Sequence, residues 1–311
     1  MFRYCRLMFR NGFLSKYHYC RLMSWGHKLL SYYVMDMAES GISRFEITAK
    51  GVVAYPKYCK FGLLCDMKDY MSPGFRFYNL SNSDQKDIDI IVKILQGQSG
   101  NIVDIGANHG WFSLYLASLF PNRSIFSFEP ISHSFDYLQR NVELNGFCNI
   151  YCYNIGLGKH NTKQSFYYDR SHLTRSGLKD NTRCWFPKKE VCCIVSLDYF
   201  STINDLGEIA LIKLDIEGAE LLAIEGGRNI ISSYGPIIYI EIFEKWINKY
   251  HYSANDISSY LLNMGYIGTV FRRGVFEKIN KDKPLDGNYF FFTFRHIKMF
   301  AKYFDKNICD S

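Results

Sequence analysis

Long apolar runs and metal-binding cysteine patterns are both missing from this sequence. No stretch reaches the roughly 18 consecutive apolar residues that a membrane-spanning helix needs. The ten cysteines form no Cys-x-x-Cys pair and no histidines cluster at zinc spacing, so a structural zinc site is not expected. The N-terminus lacks the continuous apolar core and the small-residue cleavage site of a signal peptide. These absences favour a cytoplasmic protein with free thiols.

Acidic residues are missing from the chain before Asp36, although six basic residues occur there. The formal net charge of the whole chain is +7, which favours anionic partners such as phosphorylated sugars, nucleic acid or an acidic membrane surface, without choosing among them. In the same region Tyr4-Cys-Arg-Leu-Met8 recurs as Tyr19-Cys-Arg-Leu-Met23, a period close to four helical turns. A basic amphipathic surface that contacts lipid or a partner explains this repeat. A small duplication, or coding sequence upstream of the true start, explains it equally well.

The remaining composition is that of an ordinary globular protein, with 48% hydrophobic and 22% charged residues. Residues 1–85 alternate short apolar pieces with Gly, Pro and Asn, which predicts a helical and loop-rich N-terminal extension of unknown role. Strands alternate with helices over residues 86–296, and residues 297–311 form a C-terminal tail. The strands predicted before the last two are 101–105, 124–128, 149–155, 208–214 and 235–242.

Alternating strands and helices predict an α/β fold with a doubly wound parallel sheet, covered by helices on both faces. The last two strands, 266–271 and 289–295, are joined without a helix, which predicts a terminal antiparallel hairpin. The polar segment from Tyr168 to Glu190 is either a substrate-facing lid or a solvated connection. Its basic residues are Arg170, Arg175, Lys179, Arg183, Lys188 and Lys189.

A glycine-containing loop follows the first strand of this α/β region. The strand runs into Asp104-Ile-Gly-Ala-Asn-His-Gly110 and then into a helix. Glycine lets the backbone approach a ligand, and the helix start offers unpaired amide donors. The spacing departs from the Gly-x-Gly-x-x-Gly pattern of dinucleotide-binding proteins, because Ala107 and Asn108 follow Gly106. Since S-adenosylmethionine (SAM) has no pyrophosphate, this looser loop suits SAM better than a dinucleotide.

The next strand ends at the acidic residue Glu129. A carboxylate at this point can accept hydrogen bonds from both ribose hydroxyls of a nucleoside. Together with Gly106 and Gly110 it predicts a nucleoside-binding site. Taken alone, Glu129 is also explained as a charge at the start of the following helix.

Two carboxylates follow the fourth strand, in the segment Lys213-Leu-Asp215-Ile-Glu217-Gly-Ala-Glu220. Ligands of open parallel sheets bind outside the carboxyl ends of the strands. Asp215 and Glu217 are two residues apart, so both point toward one cavity if the chain is still extended there. One of them is then placed to take a proton from an acceptor hydroxyl. Helix capping is the alternative for both residues, and Glu220 is expected at the surface.

These motifs, taken in order, resemble the FkbM family of methyltransferases over roughly residues 86–250. The resemblance implies a class I fold with strand order 3-2-1-4-5-7-6, SAM as the methyl donor, and O-methylation, often of sugar hydroxyls in polysaccharides, glycolipids or secondary metabolites. The segments that carry it are Asp104–Gly110, Phe128-Glu-Pro130, Asn141-x-x-x-Asn145-Gly146, Ile155-Gly-Leu-Gly158, Ser196-Leu-Asp198 and Ile212–Glu220.

The resemblance also implies roles for individual residues. Glu129 would lie at the ribose of SAM, and Asp215 and Glu217 near the transferred methyl group. The sequence departs from the family pattern at Gly156, where relatives commonly have Ala, and residues 1–85 have no informative match, so the acceptor does not carry over. The residues implied around the amino acid portion of SAM are Asp104, Gly106, Asn108 and Gly110.

The sequence therefore predicts an FkbM-type SAM-dependent O-methyltransferase that acts on a hydroxyl of a sugar, a glycan or a related metabolite. The Asp215-Ile-Glu-Gly segment lacks the prolines and the aromatic residue common in amino-group methyltransferases, which disfavours a nitrogen acceptor. No metal site is predicted, although Glu241 with the two carboxylates leaves a bridging divalent ion as an alternative. An RNA methyltransferase and a non-catalytic SAM-binding module are the rival hypotheses. Nucleic acid is the disfavoured partner, and peripheral membrane contact stays open.

Overall fold

The structure is a computed structural model that describes residues 2–49, 51–80, 85–182, 184–280 and 285–309. Arg183 and part of the turn before the last strand therefore lie outside the described residues. The helices are α1 (Phe2–Arg10), α2 (Lys16–Met37), α3 (Pro73–Leu80), α4 (Gln85–Gln96), α5 (Trp111–Leu119), α6 (Ser132–Asn145), α7 (Leu197–Ile203), α8 (Glu220–Gly226), α9 (Arg228–Tyr234), α10 (Glu244–Ile247), α11 (Ala254–Asn263), α12 (Phe294–Met299) and α13 (Lys306–Cys309).

The strands are β1 (Ile42–Thr48), β2 (Gly51–Pro56), β3 (Leu63–Cys65), β4 (Asn101–Ile105), β5 (Ile125–Phe128), β6 (Ile150–Tyr153), β7 (Gly156–Leu157), β8 (Thr162–Tyr168), β9 (Lys188–Val195), β10 (Ile209–Leu214), β11 (Ile237–Phe243), β12 (Tyr266–Arg272), β13 (Val275–Lys278) and β14 (Asp286–Thr293).

The main sheet has eight strands in the order β13-β12-β14-β11-β10-β4-β5-β6. Strands β4, β5, β6, β10 and β11 run parallel, whereas β14 and β12 run antiparallel to their neighbours. Counted along the chain from β4, without the edge strand β13, this order is 3-2-1-4-5-7-6. The predicted doubly wound sheet is thus confirmed.

The terminal hairpin differs in detail from its prediction. Strands β12 and β14 pair antiparallel, as expected, but the short strand β13 lies between them in sequence and pairs on the outer side of β12. Strand β14 ends at Thr293, and Arg295 belongs to helix α12. Thr293 is the N-cap residue of that helix, and its backbone amide donates a hydrogen bond to Nδ1 of His296. The strand therefore ends two residues before its predicted end.

The core lies on both faces of this sheet, because successive side chains of a strand point to opposite faces. On β4, Ile102 belongs to the buried cluster on one face, and Val103 and Ile105 belong to the cluster on the other. Asp104 lies on the same face as Ile102, yet it is a charged residue with no exposed surface. The departure from the apolar pattern marks the strand end where the candidate site begins.

The prediction of a helical and loop-rich N-terminal region is wrong for residues 42–65. Helices α1 and α2 are present, but β1, β2 and β3 form a three-stranded antiparallel sheet. Ile42, Ala54 and Leu63 of these strands are fully buried in the cluster that also contains Ile91 of α4. The strands are stabilised by burial against the α/β region, a contribution that short local patterns do not reveal.

The C-terminal tail joins the same buried cluster. Ile297, Phe300, Phe304 and Ile308 are at most 5% exposed, and they pack with aromatic residues of β13 and β14. The domain boundaries at 85/86 and 296/297 stay predictions, and the hydrophobic core continues across both.

Candidate functional site

A cavity of about 400 Å³ opens at the carboxyl ends of β4, β5, β10 and β11. This is the edge of an open parallel sheet at which ligands are expected to bind. Five of the sequence-predicted site residues line it together: Gly106, Asn108, Glu129, Asp215 and Glu217. The other two, Asp104 and Gly110, are not among its lining residues.

The loop after β4 is held against the end of β10 at Gly106. Its φ angle is +81°, and a Cβ atom at this position would lie 2.0 Å from the carbonyl oxygen of Asp215. No other residue type fits that approach, so glycine here is required by packing as well as by backbone conformation. Gly110 has a φ angle of +89° and precedes α5, and its missing Cβ makes room for Leu138 of α6.

Glu129 is buried at the end of β5 and connects two loops. Its carboxylate accepts hydrogen bonds of 2.9 Å from the backbone amides of Asn108 and of Ile131, just before α6. Burial raises the pKa of Glu129 to about 7, although both hydrogen bonds and Lys213 act in the opposite direction. Asn108 itself has a φ angle of +50°, which is uncommon outside glycine. Glu129 therefore accepts a hydrogen bond just before the start of α6 and also lies on the cavity wall.

Lys213, on β10, connects the buried and the accessible carboxylates. Its Nζ lies 3.1 Å from Asp104 Oδ1 and 3.4 Å from Asp215 Oδ2, and it donates a hydrogen bond to the carbonyl of Gly106. Burial alone would lower the pKa of Lys213, but Asp104 and Asp215 outweigh it and raise the pKa. The Asp104 side chain is fully buried, whereas that of Asp215 is 41% exposed. Asp104 thus supports the site from beneath, and Asp215 faces the cavity.

Two further carboxyl groups beside Asp215 favour the protonated form. Burial, with the charges of Asp215 and Glu220, raises the pKa of Glu217 to about 9. Burial and the charge of Asp215 raise the pKa of Glu241, at the end of β11, to about 10, and Glu241 hydrogen-bonds the Asp215 side chain. Glu217 also has a φ angle of +56°. A non-glycine residue in this conformation within a cavity is the kind of strain found at functional sites.

Glu220 corrects the prediction of a surface position. The residue is only 2% exposed, and its carboxylate accepts hydrogen bonds from the backbone amides of Ile216 and Gly218. It therefore closes the turn between β10 and α8, and burial raises its pKa to about 7. The local sequence does not reveal this environment, because Tyr250 and Tyr252, which lie close enough to interact with the charge of Glu220, come from a later segment of the chain.

Part of the segment 168–190 lies over the cavity. His172, Leu173, Thr174, Arg175 and Ser176 are lining residues. The segment is attached at Asn181, whose side chain donates a 2.8 Å hydrogen bond to the carbonyl of Glu217. Its tip carries Trp185 and Phe186, which are almost fully exposed.

Several cavity residues come from parts of the chain where the sequence offered no signal. Arg76 and Asn288 are brought to the cavity by α3 and β14, and Phe243 and Trp246 follow from β11 and α10. Lys213 lies within the segment that resembles the family, but the sequence alone does not indicate a role for it, because that role depends on the buried Asp104 beside it. Among the described residues, no group of three or more His, Cys, Asp or Glu side chains is arranged to hold a metal ion.

The strand order and the position of the cavity define a class I, Rossmann-like methyltransferase fold. Residues 104–267, more than half of the chain, match the family described as the methyltransferase FkbM domain. The chain belongs to this family. SAM is the cofactor that the family implies, and the residues present fit it, because the loop from Gly106 to Asn108 lines the cavity and the Glu129 carboxylate lies on its wall.

Two curated relatives are methyltransferases of fungi. Methyltransferase 1 of Beauveria bassiana (strain ARSEF 2860) is 26% identical over a region that covers 40% of this chain and 57% of the relative. Methyltransferase sdnD of Sordaria araneosa is 50% identical over 44 residues, which are 14% of this chain and 17% of the relative. The matched part of the chain thus spans little more than half of the first relative and about a sixth of the second.

Solved methyltransferase structures are similar at low sequence identity. The FkbM methyltransferase from Methylobacillus flagellatus KT is 20% identical, with a TM-score of 0.41, over 62% of this chain and 44% of that protein. The precorrin-6y C5,15-methyltransferase from Geobacter metallireducens GS-15 is 12% identical, with a TM-score of 0.37, over 68% of this chain and 89% of that protein.

Proposed function

We propose that this protein is a SAM-dependent O-methyltransferase that methylates a hydroxyl of a sugar, a glycan or a related metabolite. The observation that carries the proposal is the pair Asp215 and Glu217 on the wall of the cavity that also contains Glu129 and the Gly106 loop. Transfer of a methyl group to a hydroxyl requires a site that positions SAM and an adjacent general base that takes the hydroxyl proton.

Gly106, Asn108 and Glu129 are the residues proposed to contact SAM directly. The Glu129 carboxylate is oriented by two backbone amides and has further lone pairs with which to accept hydrogen bonds from ribose hydroxyls. Asp104 and Gly110 act from behind the loop, Asp104 through Lys213 and Gly110 through its packing on α6. When bound, SAM supplies an electrophilic methyl group.

Glu217 is proposed as the general base and Asp215 as the group that orients the acceptor hydroxyl. One carboxylate oxygen of Glu217 is buried without a hydrogen-bond partner, so it is available to a hydroxyl proton. Its raised pKa makes Glu217 a stronger base than an ordinary carboxylate, because base strength follows pKa. Asp215 is held on Lys213 and Glu241, which fixes the direction of its second oxygen.

The rest of the cavity supports a sugar-like acceptor. Phe243 and Trp246 bring aromatic side chains to the cavity wall, where a sugar ring could pack on them, and Arg175 and Asn288 supply hydrogen-bond donors for its hydroxyls. Lys245 and Arg175 are also close enough to Glu217 to oppose the rise in the pKa of that carboxyl. A cationic group beside the base favours an acceptor that carries an anionic substituent.

Glu129→Gln is expected to weaken SAM binding roughly 10- to 100-fold, the value of one or two charged hydrogen bonds. Because the pKa of Glu129 is about 7, the ionised acceptor form is populated above that pH and lost below it. SAM affinity of the native protein should therefore rise between pH 6 and pH 8, and that of the variant should not. Titration calorimetry at both pH values measures the effect. A variant with native affinity and the same pH dependence would show that Glu129 does not contact the ribose.

The function is tested by incubating the protein with SAM that carries an isotopically labelled methyl group. The panel contains neutral sugars, sugar phosphates, amino sugars and an RNA oligonucleotide, and the products are resolved by mass spectrometry. Label on a hydroxyl oxygen of a sugar supports the proposal. Label on nitrogen, or on RNA alone, would reject it, and failure to bind SAM in calorimetry would reject every methyltransferase version.

A further inference from the structure

Helices α1 and α2 form a helical hairpin that stands outside the buried clusters of the protein. They contact each other, with the rings of Phe9 and Tyr19 stacked at 4.6 Å. Among the described side chains, none before Ser40 is buried. The hairpin is attached to the rest of the chain at its far end, where Tyr78 hydrogen-bonds Asp36. The side chains of the hairpin that the structure describes are therefore all at least partly exposed.

The exposed surface of the hairpin combines apolar side chains with charge of one sign. More than a third of each of the following apolar side chains is exposed: Tyr4, Leu7, Phe13, Tyr17, Leu22, Tyr32 and Met35. Arg6, Arg10, Lys16 and Arg21 are exposed among them, and no acidic residue precedes Asp36. Water does not stabilise such an accumulation of apolar surface, so the hairpin requires a partner that accepts both features.

The internal repeat places the same pair of residues on both helices. Arg6 and Leu7 of α1 correspond to Arg21 and Leu22 of α2, and all four are exposed. Arg6 and Arg10 are four residues apart and lie on one side of α1. The repeat thus places an exposed arginine next to an exposed leucine in the sequence of each helix.

We propose that the α1–α2 hairpin binds the surface of an anionic lipid bilayer. Transfer of the exposed side chains of Leu7, Leu22 and Met35 from water to the acyl chains of the lipid is favourable. The arginine side chains then lie at the depth of the lipid phosphate groups. A second copy of the hairpin would bring like charges together, and RNA would leave the aliphatic side chains in water. No described helix is long and apolar enough to cross a bilayer, so the contact is with its surface.

The membrane contact is independent of the proposed transferase activity, and the experiment separates the two. The full chain is sedimented with vesicles of phosphatidylcholine alone and of phosphatidylcholine mixed with phosphatidylglycerol. Binding to the anionic vesicles is expected to be at least tenfold tighter, since each basic residue near the surface contributes about fivefold. Equal binding to both vesicle types, or binding to neither, would overturn the proposal. So would tighter binding to a polyuridylate competitor.

Two variants on the hairpin separate charge from apolar contact. Arg6→Glu combined with Arg10→Glu should reduce binding to anionic vesicles more than about 25-fold. The double variant removes the attraction of two arginines to the lipid phosphates and adds the repulsion of two carboxylates. Leu7→Ser combined with Phe13→Ser should also reduce it while the charge is retained. The matched control reverses two exposed lysines elsewhere, Lys298→Glu with Lys302→Glu, and should change binding less than twofold. Native SAM affinity in all variants demonstrates that they are folded, and native vesicle binding by both hairpin variants would refute the proposal.

Discussion

Glu217→Gln is expected to lower kcat roughly 10²- to 10⁴-fold while SAM affinity stays within about threefold of native, the range of effects that general bases have. The substitution keeps the size of the side chain and removes its ability to take a proton. SAM affinity is expected to survive because the residues proposed to hold the cofactor, Gly106, Asn108 and Glu129, follow other strands, β4 and β5. Steady-state turnover with the identified acceptor and calorimetry with SAM measure the two quantities separately.

The pH profile distinguishes the base from a residue that only shapes the cavity. Because the pKa of Glu217 is raised to about 9, its proton-accepting form increases as the pH rises, and kcat of the native protein should rise with it, reach half of its maximum near that value and level off above it. The Gln variant should lose this rise. Glu277→Gln, on the edge strand β13 away from the cavity, is the matched control and should keep native turnover. If Glu217→Gln retained native kcat while Asp215→Ala abolished turnover, the role of base would belong to Asp215.

Lys213→Met is expected to reduce the free energy of unfolding by about 3–5 kcal/mol, the cost of leaving a buried charge without its partner. The Met side chain fills a similar volume, so the loss comes from Asp104, which is fully buried and keeps only the hydrogen bond from Ser113. The Gly106 carbonyl loses a donor at the same time. Urea denaturation with an unchanged m-value would measure this effect.

A double variant tests whether the loss arises from the ion pair. Asp104→Asn added to Lys213→Met removes the unpaired charge, and it should recover a large part of the stability that Lys213→Met alone removes. A double variant less stable than Lys213→Met would mean that Lys213 stabilises the protein through packing, for example on the ring of Phe112, 5.7 Å from its Nζ.

The arrangement around Lys213 also explains how three carboxyl groups share one cavity wall. Lys213 balances Asp104 and Asp215, whereas Glu217 and Glu241 have raised pKa values because burial and the charge of Asp215 disfavour their ionised forms. One accessible negative charge beside two protonated carboxyl groups has a lower electrostatic cost than three charges would. A cationic ligand in this cavity would favour ionisation of Glu217 and Glu241. Ligand binding would then be coupled to the release of protons from these carboxyl groups.

The central α/β region was predictable from the sequence because its signals are local. Helix α6 ends at Asn145 because Gly146, which follows it, adopts the left-handed conformation that commonly closes helices. Strand β4 and the loop to Gly110 were predicted from a short apolar run followed by glycine, and the glycine is now explained by the 2.0 Å approach to Asp215. The alternation of such units, with right-handed crossovers, leaves few sheet orders open.

The sequence by itself determined the alternation of strands and helices, the glycine loop and the carboxylates at the strand ends, because each depends on residues close together in the chain. Tertiary structure decided which of those carboxylates are buried, and it placed Glu220 in the interior and Asp104 on Lys213. It also brought β1–β3 and the tail to one core and added Arg76 and Asn288 to the cavity. These outcomes depend on contacts between segments far apart in sequence, since burial and charge pairing are properties of the packed chain and not of any local pattern.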